Sequence, residues 1–215
     1  MSRFICSLGL GAVLLGLFTG CSSVKIAALE KMGYEKRDIV VGRVKKAQVA
    51  QEDAQEQFKD ALEAFSALVD VKGGALEKKY NELSKVYDKS ASRAQAVRDR
   101  IDSVEAASNA LFKEWKKEIG AYSSASLKRK SQDQLTETKK RYEQLMSAME
   151  KAEGRMDPVL AVLKDQVMFL KHNLNAKAIA SLKAELGQIE TDVSALVRDL
   201  DAAIKEADTF IKGME

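Results

Sequence analysis

Residues 179–214 read IASLKAELGQIETDVSALVRDLDAAIKEADTFIKGM. Within them Ile179, Leu182, Leu186, Ile189, Val193, Leu196, Leu200, Ala203, Ala207, Phe210 and Met214 recur at alternating steps of three and four. This period of about 3.5 residues places every one of these apolar side chains on one face of a helix, the signature of a coiled-coil seam. A strand would need a period of two, which the stretch does not show.

Working back from this seam, three more appear. Leu135, Thr138, Tyr142, Leu145, Met149, Ala152, Met156, Val159, Leu163, Gln166 and Leu170 form the preceding one. It keeps phase across Pro158, which favours a single kinked helix. Against that, Asp157-Pro158 also reads as an N-cap followed by a proline at the first helical position. Before it runs a seam from Leu76 through Tyr80, Leu83, Tyr87, Ser90, Ala94, Val97, Ile101, Val104, Ser108 and Leu111 to Trp115. The first is less regular, with Val44, Gln51, Phe58 and Phe65 at one heptad position and Val40, Ala47, Ala54, Ala61 and Leu68 at the other.

Breaks are expected at Gly73-Gly74, at Gly120 with Ser123, Ser124 and Ser126, and at Asn173-Leu174-Asn175. In the last of these Asn173 suits a left-handed C-terminal residue and Asn175 an N-cap. Four helices of about 37 to 46 residues follow, each roughly 55 to 70 Å long. Short turns make neighbours antiparallel. The predicted fold is all-α, an elongated antiparallel up-down four-helix bundle with coiled-coil-like seams over residues 35–215.

Composition agrees: apolar residues make up 46% but aromatics only 6%, charged residues 31%, and there is one proline. Such a mixture favours long helices with a thin core. The formal net charge of +3 is too small for a whole-protein nucleic-acid footprint. Cys6 and Cys21 both lie at the N-terminus and His172 is the sole histidine, so neither a disulfide framework nor a zinc site is expected. No cofactor is expected either.

Residues 1–20 have the form of an export signal. Arg3 supplies the positive start, and Phe4 to Phe18 is uncharged and shorter than a membrane span. The alternative is an uncleaved signal anchor with a chance cysteine. Leu17-Phe18-Thr19-Gly20-Cys21 resembles the lipobox of bacterial lipoproteins. That resemblance implies cleavage before Cys21 and its acylation, with residues 21–34 as tether. Two or more acyl chains make anchoring stable where one is marginal. Ser22 in place of an aspartate implies, by the same resemblance, the periplasmic leaflet of the outer membrane.

Lys113, Lys116 and Lys117 close the second helix, while Lys128, Arg129 and Lys130 open the third. Three cations at a helix N-terminus oppose its dipole. The even helix count returns this turn to the tethered end, so Lys116, Lys117, Lys128, Arg129 and Lys130 are candidate membrane-surface contacts, against the reading of a solvated turn. Gln48, Gln51 and Gln55 dilute the apolar face of the first helix. A polar seam residue can fix register at a cost in stability, and a wet partner-binding face is the alternative. His172 reads first as a cation favouring a helix C-terminus, and Trp115 as a core residue.

Ala50-Gln51-Glu52-Asp53-Ala54-Gln55-Glu56-Gln57-Phe58, Leu111-Phe112-Lys113-Glu114-Trp115 and Phe169-Leu170-Lys171-His172-Asn173-Leu174-Asn175-Ala176 resemble a Gram-negative lipoprotein family, domain of unknown function 2959. The resemblance spans nearly the whole chain after Cys21. It implies fold and export and assigns no activity to any residue. No nucleophile stands beside His172 and no seam position carries paired carboxylates, so an enzyme is not expected. The expected role is a membrane-anchored scaffold or adaptor for an envelope protein partner. A lipid- or amphipathic-ligand-binding bundle is the alternative.

Overall fold

The computed structural model describes residues 35–69, 76–173 and 175–214. They form four helices: α1 (Lys36–Val69), α2 (Leu76–Ala121), α3 (Ala125–His172) and α4 (Ala176–Met214). Each helix packs on two neighbours, α1 on α2 and α4, and α3 on α2 and α4, while the backbones of the diagonal pairs stay apart. The result is a four-cornered bundle. Cross-ties set the directions: on α1 and α2, Lys36 pairs with Glu114 at 3.0 Å and Asp53 with Arg93 at 2.9 Å. Between α1 and α4, Gln48 meets Asp208 and Gln55 meets the Val197 carbonyl. Between α3 and α4, Arg141 meets Gly213 and Arg155 meets Asp199. One index rises as the other falls in every case, so all neighbours are antiparallel.

The core is made of the seams. Every named position of the first helix is buried, Gln51 included, and so are Leu182, Ile189, Val193, Leu196, Leu200, Ala203, Ala207, Phe210 and Met214 of α4. Each large side chain fully buried in this way contributes about 1.5 to 3 kcal/mol. Burial reaches past the seams to Ala107, Met146, Leu160, Val167, Ala178 and Ile211. A helix with two packed neighbours needs a wider apolar face than the two-position stripe of a two-stranded coiled coil. Ser90 tolerates burial because its hydroxyl donates to the Val86 carbonyl one turn back, at 2.9 Å.

Several helix ends differ from the sequence expectation. α3 has 48 residues and α1 has 34, outside the expected 37 to 46. α3 does run unbroken through Pro158, as the kept phase of its seam favours. Met156 and Val159 on either side of the proline stay in the core, and Asp157 accepts from Arg98 of α2 rather than capping a new helix. Gly120 does not end α2, which continues to Ala121. The stop falls at 122–124, where the Ser124 hydroxyl accepts from the Leu127 N–H at 3.3 Å and caps α3.

Asn173 is not left-handed: its φ is −133° and ψ 55°. It closes α3 by donating its backbone N–H to Leu170 O at 3.1 Å and its side-chain amide to Phe169 O at 2.9 Å. Asn175 caps α4 through the Ala178 N–H at 3.0 Å, as its residue type implies. The Gly73-Gly74 turn, the segment 1–20 and the tether 21–34, Cys21 among them, lie outside the described residues.

The end of the bundle at which α1 begins is stepped. Lys36 lies beside Glu114, and α2 continues seven residues past it to Ala121. The α2–α3 hairpin therefore projects on the order of 10 Å beyond the start of α1.

Candidate functional site

The projecting hairpin has a small core of its own. Phe112, Ile119 and Leu135 are buried together, with Leu111, Trp115 and Tyr142 packed against them. Trp115 is thus only partly buried, and its indole N–H donates to the Ser131 hydroxyl at 2.9 Å across the hairpin. Phe112 and Tyr142 meet edge to face with centroids 5.3 Å apart, and the Lys139 ammonium lies 5.5 Å over the Phe112 ring. Burial, with Glu105 and Glu150 adding to it, pushes the Tyr142 hydroxyl up to about 12.

Under the hairpin, where four helices become two, lies an open notch of about 440 Å³ bordered by Leu111, Trp115, Glu118, Glu137, Arg141 and Met214. Arg141 spans it, pairing with Glu137 at 3.4 Å and donating to Gly213 O at 3.3 Å. A side chain at 213 would meet that guanidinium at 2.2 Å, so glycine there gives Arg141 its place. Acids and bases both line the notch, so it carries no one-signed field for an ionic ligand.

The tip does carry one. Lys116, Lys117, Lys128, Arg129 and Lys130 are all exposed, and the turn at 122–124 brings the two groups onto one end. None of the five enters an ion pair among the described residues. Two large apolar side chains stand among them, Tyr122 at 44% exposure and Leu127 at 55%. Leu127 escapes a reading by periodicity because it is out of phase with the seam of α3, while Tyr122, one heptad after Trp115, keeps the phase of the α2 seam but falls just past the end of that helix. Their shared signal is an apolar residue at the turn beside a run of cations.

The glutamine row lies elsewhere than a partner-facing groove. Gln48 donates to Asp208 at 2.8 Å and Gln55 to the Val197 carbonyl at 3.1 Å, both on α4. Gln51 is 0% exposed, and neither atom of its amide has a hydrogen-bond partner. The row is the α1–α4 seam, because the first and last helices close the bundle against each other. Ser108 likewise buries a partnerless hydroxyl.

His172 is the last residue of α3, exposed beside Lys171, where a cation favours the helix C-terminus. Farther along the α3–α4 pair, Asp199 of α4 accepts from Lys151 at 2.8 Å and from Arg155. Burial by itself would raise this carboxyl, but those two hydrogen bonds and charges outweigh it and hold Asp199 below the usual carboxylate range. Among the described residues no group of three or more His, Cys, Asp or Glu side chains is placed to hold a metal ion. No helix there is long and apolar enough to cross a membrane.

No curated protein matches the chain. A family profile described as a protein of unknown function, DUF2959, matches residues 26–214, which takes in all four helices and the stepped end. The chain belongs to this DUF2959 family.

Proposed function

We propose that this protein is a lipid-anchored, non-enzymatic rod of the cell envelope that serves as a scaffold or adaptor for another envelope protein. The observation that carries the reading is the segment Phe4 to Cys21, an uncharged run after Arg3 that ends on Leu17-Phe18-Thr19-Gly20-Cys21, with the first of the described helices starting 15 positions later at Lys36. A bundle whose seams close within one chain supports it, since such a rod presents long charged faces and needs no second copy to fold. By its resemblance to lipoproteins with serine after the cysteine, the anchor is in the periplasmic leaflet of the outer membrane.

The test is the N-terminus of the full chain made with its own leader in a Gram-negative host. Mass spectrometry should find Cys21 as the first residue, carrying acyl chains, and the protein should fractionate with outer membranes. A chain that keeps Met1, or starts at any other residue, overturns the anchor. Photo-crosslinking from Val49, which is exposed on α1, then reads the adaptor role. A single envelope protein should be captured, and the role fails if nothing specific is.

A second reading, a bundle that parts around an amphipathic ligand, is favoured by the partnerless amide of Gln51. Lipid analysis of an organic extract of the purified protein separates the two. A stoichiometric lipid beyond the acyl chains on Cys21 would favour the ligand-binding bundle.

A further inference from the structure

We propose that the α2–α3 hairpin is a foot that rests on an anionic lipid surface, through Lys116, Lys117, Lys128, Arg129 and Lys130 with Tyr122 and Leu127 among the headgroups, and so stands the rod end-on to the bilayer. This rests on the tethered-rod reading and adds to it a second contact and an orientation.

Three independent features of the tip lead to it. The first is position: the hairpin projects past the start of α1, at the end where the chain arrives from Cys21, so it is the part of the bundle nearest any surface that holds Cys21. The 13 residues from Ser22 to Tyr34 span at most about 45 Å, less than the length of α2 or α3. The opposite end of the rod cannot reach that surface while the rod stands upright.

The second is charge. Between 113 and 130 there are six cations and two acids, and Glu114 is already taken by Lys36. The cations of α3 sit in its first turn and a half, where they oppose the dipole and gain nothing from the helix. Elsewhere on the bundle several cations are matched by acids, as in Arg93 with Asp53, Arg98 with Glu153 and Lys205 with Asp201, whereas at the tip cations outnumber acids three to one. The third is the pair Tyr122 and Leu127. An exposed tyrosine and leucine within a ring of cations have the composition of an interfacial anchor, where the ring sits at headgroup depth and the charges remain in water.

An acidic protein would be met by the cations alone and would leave Tyr122 and Leu127 unexplained at a tip this narrow. The lipid surface accounts for both.

Trp115 is the only tryptophan and lies in the hairpin, so its fluorescence reports the distance from the foot to the bilayer. The full chain is incorporated into phosphatidylcholine vesicles with or without about 30% phosphatidylglycerol, each carrying a trace of dansyl-phosphatidylethanolamine. Energy transfer from Trp115 should be strong in the anionic vesicles and weaker in the neutral ones. In the variant Trp115→Phe with Phe169→Trp the donor sits at the far end of α3, roughly 65 Å from the hairpin turn, and transfer should be nearly absent in both.

The triple variant Lys128→Gln, Arg129→Gln, Lys130→Gln should bring the anionic transfer down to the neutral level. Each cation near such a surface favours contact about fivefold, so three are worth on the order of a hundredfold. Circular dichroism of the same variant checks that its helices are intact, as exposed positions predict. Equal transfer in the two vesicle types, or a triple variant that transfers as the parent does, overturns the foot. Equal transfer from both tryptophan positions overturns the end-on orientation.

The anchor is judged separately by the mass of the N-terminal peptide. If Cys21 proves unmodified, the same vesicles are read by flotation. The foot then predicts that the parent chain floats with anionic vesicles more than the triple variant does, and equal flotation overturns it.

Discussion

Replacing Gln51 by methionine should make the protein more stable, although Gln51 lies at the centre of the bundle. Its side chain is completely buried and neither the amide oxygen nor the amide nitrogen has a partner. In the unfolded chain both are hydrated, so folding strips them of water without compensation. A buried polar group left unsatisfied costs about 1 to 3 kcal/mol. Methionine has the same unbranched length and nearly the same volume, so it removes that cost without opening a cavity or forcing neighbours off their rotamers. The expected gain is about 2 kcal/mol.

For a domain of this size 1 kcal/mol moves the midpoint by roughly 2 to 4 °C, so Gln51→Met should melt about 4 to 8 °C higher by circular dichroism. Urea unfolding should show a higher midpoint with an unchanged slope. Gln51→Ala separates polarity from volume, because it removes the same amide but leaves a void, and it should gain less than methionine or lose stability. A methionine variant that melts at or below the parent temperature would contradict an unsatisfied amide at this position. The amide would then be satisfied in the folded protein.

Three other outcomes follow from the packing and the titrating groups. Leu196→Ala removes a fully buried seam side chain of α4 and should cost about 2 to 5 kcal/mol in urea unfolding. Pro158→Ala restores an N–H to the middle of α3 at an exposed position, and should stabilise by about 2 kcal/mol once the greater freedom of the unfolded chain is set against it. The pH dependence has two arms of opposite sign. Asp199, held below the usual carboxylate range, contributes stability above the unfolded-state value that is lost as pH falls toward its folded value, so Asp199→Asn should flatten the acid side of the stability curve. Tyr142, raised to about 12, contributes stability that is complete below pH about 10 and is lost between there and pH about 12, so Tyr142→Phe should flatten the alkaline side.

What is legible in the sequence is whatever repeats. The seams can be read because a 3.5-residue period sums many weak preferences over long stretches, and Ser90, Ser108 and Gln51 keep their places in phase despite being polar. The helix ends are less legible because one side chain decides each. At Asn173 an asparagine can cap by turning left-handed or by folding its amide back onto the preceding turn, and residue type alone does not choose. At Gly120 the cost of a glycine in a helix, about 1 kcal/mol, is small enough for the hairpin core around Ile119 to override. The glutamines leave two readings open for a different reason. A polar residue on an apolar face reads as a wet edge until the fourth helix is known to lie on it. The stepped end is illegible altogether, since it depends on how far α1 and α4 are set back along α2 and α3, and only contacts distant in sequence carry that register.

That register raises a problem of its own, to which Gln51 returns. Sliding a helix by one heptad, about 10 Å, keeps an apolar seam apolar. The ionic ties do not forbid such a slip for α4. Asp199 has Asp192 and Glu206 seven residues to either side, and Asp208 has Asp201 and Glu215, so an acid replaces an acid. Side-chain volume does forbid it. Between the ties Gln48 to Asp208 and Gln55 to Val197, Gln51 falls at the level of Ala203, and between Lys36 to Glu114 and Asp53 to Arg93 it falls near Ala94. At those levels an alanine is the small residue that a long side chain opposite it requires. A slipped α4 would set Phe210 or Leu196 in place of Ala203, and a slipped α2 would set Ile101 or Tyr87 in place of Ala94. Overpacking of that kind costs about 1 to 3 kcal/mol at each contact. The length of residue 51 therefore holds the register while its polarity only lowers stability, which is why methionine should keep the single aligned bundle and alanine should not.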